Sequence, residues 1–156
     1  MKKLVFISLV LFSANCIAQN CKYSQNGVDK FTGKLTKVTK DFKFIETFAS
    51  EGFLSIQKAD TSLSLTLTYR TSFSSKIKVN DGAELSFLLE DGSIITIKKA
   101  GVGYVINSKQ LKKLMTTRTK TLRYYYTDNG GIYKFDDIEI KKSNAEDLME
   151  RIPCVL

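Results

Sequence analysis

Asp136 and Asp137 are the nearest this sequence comes to a pair of carboxylates able to divide general acid–base work. Neighbours on a strand point to opposite faces, so the two acids are expected on different sides of a sheet. A bulge at Asp136–Asp137, where the apolar alternation slips by one, accounts for them without catalysis. Asp128-Asn129-Gly130-Gly131 sets oxygen ligands beside glycine, as calcium loops do, but lacks the alternating acids and closing glutamate of such loops. A hairpin turn explains it fully. Gly101-Val102-Gly103 is a fragment of a dinucleotide loop with Ile106 where the third glycine belongs, and is read as a bend between strands. The chain has no histidine, which removes the commonest general base, the histidine-dependent serine and cysteine nucleophiles, and the usual zinc or copper ligand. No serine sits in a Gly-x-Ser-x-Gly elbow. No catalytic, metal or cofactor site is expected.

Charge is more informative. From Gly92 to Thr127 there is no acidic residue, while Lys98, Lys99, Lys109, Lys112, Lys113, Arg118, Lys120 and Arg123 all fall there. Lys109, Lys112, Lys113, Arg118, Lys120 and Arg123 are the candidate anion-binding residues. The expected partners of such a face are an anionic envelope polymer, lipid head groups or a protein. The plainer reading is a solvated lysine-rich face with no ligand. A nucleic-acid partner is not expected, since no recognition motif is present.

The elements that carry these residues follow a leader. Lys2 and Lys3 precede the apolar run Leu4–Phe12, and small residues continue to Ala18. This is the three-part pattern of a cleavable export signal, residues 1–18, with cleavage expected after Ala18. The run is too short to span a bilayer, which takes roughly 20 apolar residues. Asn15 and Asn20 stand where a small residue would precede a lipid-modified cysteine, which argues against an anchor at Cys16 or Cys21. Cleavage removes two of the 24 basic residues and none of the 16 acids, leaving a mature charge of +6. Residues 19–156 are then one domain by length. The domain keeps Cys21 and Cys154, and an even pair in an oxidising compartment reads as a disulfide, the alternative being two buried thiols.

Strands dominate the domain. Gln19–Gly33 is polar, with Asn26-Gly27 as an expected tight turn. Phe42, Phe44 and Phe48, then Leu54 and Ile56, mark two strands. In Ser62–Arg70, Leu63, Leu65, Leu67 and Tyr69 alternate with polar residues, the period of a half-buried strand. Asn80-Asp81-Gly82 is a turn, and Asp91-Gly92 between two alternating runs predicts a hairpin. Asn107 with Gln110 predicts a capped helix whose Leu111, Leu114 and Met115 face inward, sending Lys109, Lys112 and Lys113 outward. Thr121–Thr127 and Tyr133–Ile140 make a last hairpin, with Leu122, Tyr124 and Tyr126 on one face and Arg123 and Tyr125 on the other. Ser143 with Glu146 predicts a second capping box, opening a helix that Pro153 stops. The class is α+β: mainly an antiparallel sheet, or partly closed sandwich of successive hairpins, with two short helices in the C-terminal half.

Asp29-Lys30-Phe31-Thr32-Gly33, between an early cysteine and a closing helix that ends near Cys154, resembles the opening of small secreted proteins of Bacteroidota. The resemblance implies export and paired ends. It implies no activity and transfers no site. The expected function is thus an exported binding or interaction module, periplasmic or secreted, with a basic face for an anionic envelope component. The alternatives are a carboxylate-dependent hydrolase of envelope glycans and a structural part of an envelope assembly.

Overall fold

Alternation in β5 (Ser62–Thr71) sets the frame for the rest: Leu63 and Leu65 are buried, and Leu67 and Tyr69 pack against the core. The structure is a computed structural model that describes residues 21–28, 30–48, 50–71, 83–127 and 131–156. The expected leader, its cleavage after Ala18, Cys16, Asp29 and the turns at residues 80–82 and 128–130 lie outside the described residues. The remaining strands are β1 (Tyr23–Val28), β2 (Leu35–Thr39), β3 (Phe42–Glu46), β4 (Ser50–Ala59), β6 (Glu84–Leu89), β7 (Ile94–Ala100), β8 (Gly103–Val105), β9 (Thr119–Thr127) and β10 (Tyr133–Glu139). Helix α1 (Ser108–Thr116) lies between β8 and β9. Helix α2 (Lys142–Arg151) and a 3-10 turn (Ile152–Cys154) close the chain. The described strands form one ten-stranded antiparallel sheet in the order β1-β2-β4-β5-β8-β7-β6-β9-β10, with β3 also on β4. The two helices stand in the C-terminal half as expected, but the weight lies further toward all-β than α+β.

The sheet folds over on itself. Phe44 of β3 meets Phe87 of β6 with ring centroids 6.2 Å apart, and Tyr69 of β5 meets Tyr124 of β9 at 5.3 Å, although neither pair of strands is adjacent in the sheet. The inner faces close on a core that includes Phe44, Ile45, Leu54, Ile56, Leu65, Leu85, Phe87 and Leu122. Buried Leu111 and Leu114 of α1 and Ala145 and Leu148 of α2 complete it. Accumulated twist is the physical reason a sheet this wide curls.

β2 and β3 run end to end along one edge of β4, β2 against Gln57–Ala59 and β3 against Glu51–Leu54. Between them the ladder breaks, and the Thr39 hydroxyl takes the place of a backbone carbonyl, accepting the Ile56 N–H at 3.0 Å. Thr39 is 1% exposed. Thr39→Val keeps the shape and strands a buried donor, so it is expected to cost about 1–3 kcal/mol in urea unfolding.

Three expectations on local structure are corrected. Asn26-Gly27 is not a turn; it lies within β1, paired with Lys37 and Thr36. No bulge interrupts β10, whose register with β9 runs unbroken from Tyr133↔Thr127 to Glu139↔Thr121. Tyr133 and Phe135 therefore face outward with Asp137, and Asp136 faces the other way. The capping box at Ser143 does not form: α2 begins at Lys142, with no side-chain cap at Lys141. The box at Asn107 does form, with Asn107 Oδ1 accepting Gln110 N–H and Gln110 Oε1 accepting Asn107 N–H.

Two other expectations are met. At the Asp91-Gly92 turn, Gly92 sits at φ 80° and its N–H donates to Leu89 O. A disulfide joins Cys21 to Cys154.

Candidate anion-binding face

The six candidate residues divide sharply once acids from elsewhere in the chain are placed beside them. Lys113 of α1 pairs with Asp91 in the β6–β7 turn. That contact, with the Ser93 hydroxyl and N–H, holds the Asp91 carboxyl far below the ordinary carboxylate range. Arg118, just before β9, is clasped by Glu90 at 2.6 Å and by Glu146 of α2 at 3.3 Å. Glu90 is the larger cause of its raised pKa. Arg123 of β9 donates Nε and Nη2 to the two oxygens of Asp137, each at 2.6 Å. This forked contact raises the guanidinium and lowers the carboxyl. Lys98 of β7 also lies 3.7 Å from Glu84 of β6.

Lys109, Lys112 and Lys120 remain. None forms an ion pair among the described residues, and all three are exposed. The helix places two of them by periodicity: with Leu111 and Leu114 fully buried, Lys109 and Lys112 fall on the solvent side of α1. They border a shallow groove of about 530 Å³ between α1 and the β6–β7 hairpin, lined also by Ser93, Ile94, Ile95, Lys113 and Thr116. Gln110 bolts α1 to β7 by donating Nε2 to Thr96 O at 3.1 Å, which fixes the groove's two walls. The arrangement can hold an anion against two uncompensated ammonium groups, with Ile94 as an apolar wall.

Sequence reasoning found the cations but not their neutralisers. Glu146 and Asp137 lie beyond the acid-free segment, and only the fold brings them to Arg118 and Arg123. Ile94 was also missed. It is an exposed apolar residue opening a strand whose next member, Ile95, is the buried one.

Comparison with protein-family models, curated proteins and solved structures finds no match to this chain.

The acids give little support to a hydrolytic reading. Asp137 and Glu84 both line a recess on the outer face of β6, β7, β9 and β10. Both oxygens of Asp137 are engaged by Arg123, and its lowered pKa keeps it ionised, so it is no proton donor near neutrality. Asp136 lies on the opposite face, beside Tyr126. No group of three or more acidic or cysteine side chains placed to hold a metal occurs among the described residues. No helix among them is long and apolar enough to cross a membrane.

Proposed function

We propose that this protein is an exported, non-enzymatic binding module whose α1 groove takes an anionic component of the cell envelope. One observation carries the reading: Lys109 and Lys112 stay uncompensated beside a groove while Lys98, Lys113, Arg118 and Arg123 are neutralised by acids. Export is supported by the leader pattern and by the disulfide, whose chemistry suits an oxidising compartment.

The test is binding of the oxidised domain to an anionic polysaccharide or to acidic vesicles at low salt. Affinity falls steeply as salt rises, because the interacting charges are exposed. Lys109→Gln with Lys112→Gln is expected to weaken binding roughly ten- to thirty-fold, at about 1 kcal/mol for each cation. Lys113→Gln does much less, since Asp91 already occupies that ammonium. Equal losses from all three lysines, or none from any, reject the groove as the binding site.

A further inference from the structure

Because the β9–β10 register is unbroken, three aromatic side chains stand together on the outside of the sheet. Tyr125 and Tyr133 stack with centroids 5.5 Å apart and planes 13° from parallel, and Phe135 meets Tyr125 at 5.8 Å. Tyr133 is 56% exposed and Phe135 51%. Lone exposed apolar residues are ordinary, but a contiguous cluster of rings on one face marks a contact surface. We propose that this face binds saccharide rings, and that the anionic partner of the α1 groove is therefore an acidic polysaccharide. The inference rests on the reading of that groove as an anion site.

Three features favour a sugar over other occupants. First, aromatic rings present electron-rich faces to polarised C–H groups, and the apolar face of a pyranose offers a row of these. Second, the adjoining recess of about 310 Å³ is lined by the hydroxyl-bearing Ser86, Thr96 and Thr121 and by Arg123, Glu84 and Asp137. Hydroxyls both donate and accept, and charged groups supply one-way partners, which is the set that sugar hydroxyls need. A protein partner would instead seek an interface centre depleted in charge. Third, the surface is set before any ligand arrives. Arg123 is held by Asp137 and lies 4.4 Å over the Phe135 ring, and the Ser86 and Thr96 hydroxyls are bonded at 2.8 Å. Little side-chain freedom is left to lose on binding.

Ile94 links the two surfaces. It lines both the recess and the α1 groove. A chain whose rings lie across β9 and β10 can continue past Ile94 and bring its acidic groups to Lys109 and Lys112.

The experiment compares three probes by calorimetry at low salt: polygalacturonate, which is both sugar and anion; dextran, a neutral sugar; and polyphosphate, an anion without sugar. Wild type is expected to prefer polygalacturonate to polyphosphate. Tyr133→Ala with Phe135→Ala should weaken polygalacturonate about tenfold or more, from two lost ring contacts, and leave polyphosphate unchanged. Lys109→Gln with Lys112→Gln should weaken both polyanions. If polyphosphate binds as well as polygalacturonate and the aromatic variant alters neither, the saccharide inference falls while the anion groove stands. If no polyanion binds, or if the lysine variant is silent while the aromatic variant still loses polygalacturonate, the anion reading falls, and the acidic part of this inference with it. A change only in self-association of the aromatic variant makes the face a protein interface and overturns the proposal.

Discussion

Reducing the Cys21–Cys154 disulfide is expected to destabilise the domain by up to about 5 kcal/mol, the chain-entropy value for a loop this long. The two cysteines are 133 residues apart, so the bridge restrains nearly the whole described chain when unfolded. The native state sets how much of that value is seen. Cys154 is buried at the end of the helical segment, whereas Cys21 precedes β1, an edge strand whose residues after Tyr23 are all exposed. Apart from the bridge, the first described residues are tied down by β1–β2 pairing and by the Tyr23 hydroxyl donating to Cys154 O at 2.8 Å. On reduction β1 is expected to fray first, a local loss that leaves the core standing. Urea titrations of oxidised wild type, reduced wild type and Cys21→Ser should therefore show a lower midpoint for both bridge-free forms, with reduced protection from hydrogen exchange confined to β1 and β2 at low urea. A midpoint difference worth less than about 1 kcal/mol would mean that β1 is held by its pairing alone.

The elements legible from sequence were those whose signals are local and agree with one another. β5 alternates without exception. The β6–β7 hairpin is written in Asp91-Gly92, and Asn107 with Gln110 specifies the start of α1 reciprocally. The misread elements had local signals that a distant partner overrode. Asn26-Gly27 favours a turn in isolation, but pairing with Thr36 and Lys37 draws it into a strand. The expected bulge at Asp136–Asp137 came from the slip by one in the apolar alternation, which the structure resolves by leaving Tyr133 and Phe135 exposed. Keeping the register and exposing the rings satisfies the backbone ladder instead. Glu146 stands where a capping box would use it, yet its carboxylate is drawn to Arg118 across the helix–sheet junction. The acid-free segment located the cations along the chain, but their net field depends on contacts as distant in sequence as Arg118 with Glu146. Sequence could place the cations on their elements. Only the fold decides which of them are left unpaired.

Raising the pH through the tyrosine range should unfold the domain in a transition steeper than exposed tyrosines can produce. Tyr104 of β8 and Tyr124 of β9 are each 3% exposed, and burial raises both pKa values, Tyr104 to about 12. The unfolded chain releases these protons near pH 10 while the folded chain still holds them, so the unfolded state gains on the folded one as pH climbs. The stabilisation is complete below about pH 10 and is lost as pH rises through about 12. Each such tyrosine contributes at most about 1.4 kcal/mol per pH unit across that interval, and partial hydration lowers the figure. The Tyr104 hydroxyl is buried with no hydrogen-bond partner among the described residues. Tyr104→Phe is therefore expected to hold or raise stability at neutral pH by about 1 kcal/mol, and to move the alkaline midpoint upward. Tyrosinate absorbance followed beside circular dichroism tests both points. Tyr104 and Tyr124 should ionise only as the sheet is lost. Ionisation of Tyr104 and Tyr124 near pH 10 with the sheet intact would place these two rings in water, and with them the contact between Tyr69 and Tyr124 that closes the fold.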